Sequence, residues 1–129
     1  MIMNFEDVNK RVQDAVEMIS ITRGSLLEAA PKAADFLTAT AIVTEYRRFL
    51  EIEKAKLLTL QEATLSESVK KSPGKNITEK KALAHGAPEY TTVREQVEET
   101  EAGISWCKSY IRIFENAHLL YRQQGRDYV

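Results

Sequence analysis

Residues 88–125 read PEYTTVREQVEETEAGISWCKSYIRIFENAHLLYRQQG, with apolar side chains at alternating spacings of three and four. The stripe consists of Tyr90, Val93, Val97, Thr100, Ile104, Cys107, Ile111, Phe114, His118 and Tyr121. This alternation is typical of a long helix that packs lengthwise against another helix. Gly103 is the only helix-weakening residue between Pro88 and Gly125. The stretch therefore predicts a long C-terminal helix over residues 88–124.

The same predicted helix carries a second apolar stripe on a different face. This second stripe consists of Trp106, Tyr110, Ile113, Ala117 and Leu120. One partner helix cannot cover two apolar faces, so the helix must contact more than one neighbour. We therefore predict a homo-oligomer with the second stripe at the interface between subunits.

An earlier heptad pattern predicts another long helix over residues 35–66. Its stripe consists of Phe36, Ala39, Val43, Tyr46, Leu50, Glu53, Leu57, Leu60 and Thr64. Two such helices, joined by a connection of about twenty residues, most simply fold back as an antiparallel pair.

Shorter signals complete the predicted fold. Asn4 and Asp7 favour the start of an N-terminal helix over residues 4–23, and Ser25 with Glu28 forms a possible capping pair after the break at Gly24. Residues 67–87 read as a basic loop followed by a short helix, 77–85, which Asn76 caps. We predict a single all-α domain over residues 1–129: an N-terminal helix plus a long, antiparallel, coiled-coil-like hairpin, in an oligomer.

Composition narrows the classes of function. The net charge is −1, so any electrostatic partner must bind a local patch. The single cysteine, Cys107, suits a reducing compartment, and the chain shows no signal peptide and no apolar run of membrane-spanning length. These features predict a cytoplasmic protein without a membrane partner.

Residues capable of catalysis or metal binding are too scattered to predict an enzyme or a cofactor. His85 and His118 lie far apart in sequence, and His118 occupies a heptad position, which favours packing. Cys107 reads as a small buried hydrophobe, and Glu98, Glu99 and Glu101 read as a solvated acidic face. We therefore predict no catalytic residues, no metal site and no cofactor.

Lysines supply the most informative local patch. Lys70, Lys71, Lys75, Lys80 and Lys81 lie within twelve residues. Such a patch suits the phosphate backbone of a single DNA strand, and repetition around an oligomer would strengthen the binding. Two other readings stay open: a merely solvated loop, or lysines that neutralise residues 89–101 of a neighbouring subunit, where five glutamates and Arg94 give a net charge of −4.

Parts of the chain resemble a known family, the phage recombination mediators of the UvsY type. The resemblance covers residues 36–126 and is carried by the sequences ITEKKAL at 77–83 and ISWCKSYI at 104–111, together with Glu89, Tyr90, Val93, Val97 and Glu101. Tyr46 and the sequence EKAKL at 53–57, ahead of the basic loop, resemble the other arm of the family's hairpin. The predicted helix over residues 4–23 has no counterpart in the family.

The resemblance implies a small helical protein that forms rings, binds single-stranded DNA and helps load a recombinase onto strand coated by a single-strand binding protein. It assigns the five lysines to DNA contact. Two other classes remain open from the residues alone. One is a helical adaptor or inhibitor that grips a partner helix, and the other is an assembly protein that acts only through protein contacts.

Overall fold

The computed structural model describes residues 4–21 and 29–128. This part of the chain forms four helices and no strand: α1 is Phe5–Ile21, α2 is Ala29–Lys71, α3 is Ile77–His85 and α4 is Pro88–Tyr128. The all-α fold class is confirmed. The last two residues of the predicted first helix, and the possible capping pair of Ser25 and Glu28, lie outside the described residues.

Two asparagines start helices through the same side-chain hydrogen bond. The backbone N–H of Asp7 donates to Oδ1 of Asn4 at 2.9 Å, and the backbone N–H of Glu79 donates to Oδ1 of Asn76 at 2.9 Å. Each bond satisfies one of the N–H groups that a helix leaves unpaired in its first turn. The bonds explain why α1 and α3 begin where they do.

Helix α2 is longer than predicted at both ends. It begins at Ala29 rather than at 35, because Pro31 falls in the first turn, where a missing N–H breaks no helical hydrogen bond. It ends at Lys71 rather than at 66, directly before Ser72. Ser72 precedes Pro73, and a residue before proline is disfavoured in the helical conformation. The predicted loop therefore shrinks to residues 72–76.

Helix α4 begins at Pro88 as predicted and extends to Tyr128, four residues beyond the expected end. The extension passes through Gly125. A single glycine costs a helix only about 1 kcal/mol relative to alanine, which is too little to end it.

The packing contacts group the chain into two compact units. The terminal unit comprises the described residues up to Phe49 and from Ser105 onward, and the central unit is Leu50–Ile104. Helices α2 and α4 contribute residues to both units.

Aromatic side chains dominate the core of the terminal unit. Phe36 and Phe114 are fully buried, their ring centroids lie 6.2 Å apart, and Phe36 also stacks on Tyr121 at 5.4 Å. The buried residues Val8 and Val12 come from α1. The terminal unit is therefore built from α1, α2 and α4.

The predicted stripe of α4 is its buried face. Seven of its ten members are buried and the other three, Thr100, Ile111 and His118, are half-buried. The alternation of three and four thus gives the correct register for this helix.

The predicted stripe of α2 holds in its first half and shifts in its second. Phe36, Val43 and Tyr46 are buried, whereas Leu60 is 48% exposed and Gln61 takes the inward position instead. The Nε2 of Gln61 donates to the Tyr90 hydroxyl at 3.0 Å. The prediction that Leu60 lies on the buried face of α2 is wrong. The inward-facing residues in this half of the helix are Leu50, Lys54, Leu57 and Gln61. Two successive steps of four, from Tyr46 to Leu50 and on to Lys54, form a stutter in the heptad pattern.

Candidate nucleic-acid interface

The five predicted lysines all belong to one stretch of the central unit, but three different elements carry them. Lys70 and Lys71 occupy the last turn of α2, Lys75 lies in the connection of residues 72–76, and Lys80 and Lys81 lie on α3. Placing Lys70 and Lys71 in a loop was therefore wrong. At the end of a helix their positive charge is favourable, because the unpaired carbonyl groups there are partly negative.

A close backbone approach fixes the turn between α2 and α3. A Cβ atom on Gly74 would lie 2.9 Å from the backbone nitrogen of Lys80 and 3.1 Å from its Cγ. The stem of the Lys80 side chain therefore lies beside Gly74. The carboxylate of Glu79 accepts a hydrogen bond from the backbone N–H of Lys75 at 3.3 Å and holds the other end of the turn.

Four of these lysines are electrostatically uncompensated. Lys71 pairs with Glu67 at 3.3 Å, whereas the other four form no ion pair with any residue that the structure describes. Lys80 is half-buried and the other three are exposed. The ammonium groups of Lys70, Lys75, Lys80 and Lys81 are thus available to an anion.

A separate group of acidic side chains lies on α4, in addition to Glu67, Glu79 and Glu89 near the lysines. Glu95, Glu98, Glu99 and Glu101 are exposed on α4. Glu98 lies 3.9 Å from Arg94, and Glu101 lies 3.3 Å from Lys54 of α2. Each of these two pairs compensates one of the four glutamates within the chain.

A groove of about 610 Å³ lies between the end of α2, helix α3 and the start of α4. Its lining comprises Ala63, Thr64, Glu67, Ser68, Lys71, Ser72, Pro73, Leu83, Ala84, Ala87 and Glu89. Only Lys71 of this set was predicted from the sequence. The others show no motif, and the turn of the chain at residues 72–76 brings them together.

Tyr90 directly follows Glu89, which lines the groove, but Tyr90 itself is a core residue. It is only 7% exposed, its hydroxyl accepts the hydrogen bond from Gln61, and its ring meets the His85 ring edge-on at 5.1 Å. Nδ1 of His85 lies 2.6 Å from the carbonyl oxygen of Lys81. These contacts give both aromatic rings a structural role.

The members of the second stripe have unequal environments. The ring of Trp106 meets Phe5 of α1 edge-on at 5.1 Å and packs at a tilt against Tyr110 at 5.0 Å, and Ala117 is buried. Ile113 and Leu120 remain 43% and 57% exposed. Helix α1 is thus a second neighbour of α4 within the same chain, and it contacts Trp106.

The remaining predicted side chains have packing contacts. Cys107 is fully buried, and Nδ1 of His118 donates to the carbonyl oxygen of Ala33 at 2.8 Å. Burial raises the pKa of Tyr46 above its ordinary value of 10.0, and the nearby Cys107 adds to the shift. Within residues 4–21 and 29–128, no three His, Cys, Asp or Glu side chains are grouped to hold a metal ion.

Comparisons of the chain with protein-family models, curated proteins and solved structures give no significant match. None of the helices in the described ranges has the length and apolar character needed to cross a membrane.

Proposed function

We propose that the chain is an oligomeric single-stranded DNA-binding recombination mediator that helps load a recombinase onto DNA. The observation that carries this proposal is the group of four lysines without an ion pair, all within residues 70–81 of the central unit. Ammonium groups of this kind bind phosphates without reading the base sequence and release counterions from the strand.

The proposed architecture is a coiled-coil-like antiparallel hairpin. Its support in the central unit comes from the pairing of Leu50 with Gly103, Lys54 with Glu101, and Gln61 with Tyr90. Residue numbers rise along α2 as they fall along α4. The same relation holds separately in the terminal unit, where Ala33 contacts His118 and Phe36 contacts Phe114.

Self-association is the second part of the proposal. Ile113 and Leu120 are exposed on α4 and form the part of the second stripe that is available to another subunit. Four lysines on one chain bind a strand weakly, because each phosphate contact is individually small. Several copies on one strand add their contacts through effective concentration, which gives the oligomer a functional purpose.

The recombination role rests on the resemblance to mediators of the UvsY type. Mediators of this type act on strand coated by a single-strand binding protein, so we propose that protein and a recombinase as partners, in the cytoplasm. The lysine-bearing residues 70–81 overlap the stretch ITEKKAL that carries part of the resemblance. The proposed protein has no enzymatic activity and acts by binding.

A non-enzymatic helical adaptor, inhibitor or assembly protein is the second candidate. It is favoured by the exposed leucines Leu37, Leu119 and Leu120 of the terminal unit, two of which are adjacent on α4. An amphipathic helix of another protein could cover such residues. This candidate requires no contact between the lysines and DNA.

Charge reversal separates the two candidates. In Lys70→Glu/Lys75→Glu/Lys81→Glu, fluorescence anisotropy with a labelled single strand should show at least tenfold weaker binding, because three phosphate contacts become repulsive. The control Lys10→Glu/Lys108→Glu/Arg122→Glu has the same net charge and changes exposed residues of the terminal unit. Equal loss of binding in both variants would contradict the proposed site, since net charge alone would then explain it.

A further inference from the structure

The groove is built from the elements that carry the four uncompensated lysines, namely the end of α2, the connection of residues 72–76 and helix α3. Lys71 lines the groove, and Lys70 precedes it in the last turn of α2. Pro73 also lines the groove. The next residue is Gly74, and the stem of the Lys80 side chain lies beside it. We therefore expect a strand held by these lysines to pass close to the groove.

The lining combines apolar surface with a few polar groups. Its apolar members are Ala63, Pro73, Leu83, Ala84 and Ala87, and its hydroxyl groups come from Thr64, Ser68 and Ser72. Small-molecule sites share this mixture and measure about 300–1,000 Å³. The volume of about 610 Å³ lies within that range.

The two carboxylates of the lining differ in availability. Glu67 pairs with Lys71 at 3.3 Å, whereas Glu89, in the first turn of α4, is exposed and has no polar partner among the described residues. A free carboxylate accepts hydrogen bonds and cannot donate them. Glu89 therefore selects for a donor on whatever enters the groove.

We propose that the groove receives a base of the bound single strand and favours one that carries an exocyclic amino group, as cytosine does. This inference rests on the proposed function and adds a base preference to contacts that otherwise recognise only phosphate. The flat faces of a base fit the apolar lining, and the cytosine amino group donates to the Glu89 carboxylate. Thymine presents a carbonyl oxygen at the equivalent position, which the carboxylate repels.

The occupant follows from charge. An apolar segment of another protein would gain nothing from lysines on the elements that form the groove, such as Lys80 beside Gly74, whereas a nucleic acid strand uses both parts of the surface. Phosphates contact the lysines and a base enters the groove, which is the division of labour seen where proteins bind single strands.

Oligo-dC and oligo-dT of equal length test the preference by fluorescence anisotropy. The unmodified chain should bind oligo-dC about tenfold more tightly, the effect of one good hydrogen-bonded base contact. Ala63→Leu narrows the groove and Glu89→Ala removes the acceptor, so each should abolish most of the preference while the salt dependence stays the same. The control Ala55→Leu changes another exposed alanine of α2, outside the lining, and should keep the preference.

Other binding results distinguish failure of the groove inference from failure of the proposed function. If the chain binds both strands and neither groove variant changes their ratio, the groove inference is overturned and the proposed function stands. Equal weakening of both strands by Ala63→Leu overturns the base preference as well. If the chain binds neither strand at low salt, the proposed function fails together with the inference.

Discussion

Two glycines of the central unit make close approaches of different kinds. A Cβ on Gly74 would meet the Lys80 backbone nitrogen at 2.9 Å, whereas a Cβ on Gly103 would meet only Cδ1 of Leu50 at 3.0 Å. Backbone in a capped helix start cannot shift cheaply. The end of a half-buried leucine side chain can rotate away.

We expect different effects on the free energy of unfolding from the two alanine substitutions. Gly74→Ala should lower the free energy of unfolding by about 1–3 kcal/mol, the usual cost of forcing atoms into filled space. Gly103→Ala should leave it unchanged or raise it by up to about 1 kcal/mol, because alanine favours the interior of a helix. Urea unfolding measures both. Equal destabilisation by the two would contradict the described contacts.

The ionisation of Tyr46 makes the free energy of unfolding depend on pH in the alkaline range. Because burial raises the pKa of its hydroxyl above 10.0, the unfolded chain releases this proton at a lower pH than the folded chain. This difference contributes to the free energy of unfolding in full below pH 10, and the contribution is lost as the pH rises through the raised pKa.

Replacing Tyr46 should make the free energy of unfolding fall less steeply as the pH rises. Between about pH 8 and about pH 11, the unmodified chain should lose unfolding free energy more steeply than Tyr46→Phe, because the variant lacks the buried proton. Tyr110→Phe, at a half-buried tyrosine of α4, is the control and should retain the steep decline. Parallel curves for the unmodified chain and Tyr46→Phe would argue against the shift.

Helix α4 was predictable because one strict period runs through it, and α2 was not because its period changes. From Tyr90 to Tyr121 every step of three or four in α4 meets a buried or half-buried residue. In α2 the polar pair Glu53 and Lys54 hides the change of register, because neither residue is apolar. Hydropathy alone then favours Leu60 over Gln61, although the Tyr90 hydroxyl pairs with Gln61.

The register predicts unequal costs for two substitutions in the central unit. Leu60→Gln should change the free energy of unfolding by no more than about 0.5 kcal/mol, since the side chain is exposed. Ile104→Ala, at a buried position of α4, should cost about 2–5 kcal/mol. If Leu60→Gln lowered the free energy of unfolding as much as Ile104→Ala, Leu60 would lie on the buried face of α2.

The lysine patch was predictable as a cluster in sequence, whereas its setting was not. Five lysines within twelve residues need no fold to be noticed. The polar sequence before Pro73 reads equally well as loop or helix, so the extension of α2 to Lys71 was missed. The groove was invisible because alanines and serines at scattered positions carry no periodic signal.

The chain as a whole leaves Ile113 and Leu120 exposed, and this underlies the expected oligomer. Ile113→Asp/Leu120→Asp should dissociate the oligomer without unfolding the chain, because both side chains are exposed and charge there is costly only when a partner covers it. Sedimentation velocity measures the change. Leu58→Asp, at an exposed leucine of the central unit, is the control and should sediment like the unmodified chain.

A stable monomer of the unmodified chain at micromolar concentration would contradict the oligomer. Trp106→Ala is unsuitable for this test, because Trp106 packs against Phe5 within the same chain. Loss of the indole would disturb α1 as well as any interface.

The salt dependence of binding to a long single strand tests the central claim most directly. If the four uncompensated lysines each neutralise one phosphate, the logarithm of the binding constant should fall linearly with the logarithm of the salt concentration. The slope should be roughly −2.8 for one chain, at about −0.7 per phosphate, and steeper for an oligomer. Absence of binding at low salt, or binding with no dependence on salt, would contradict the account.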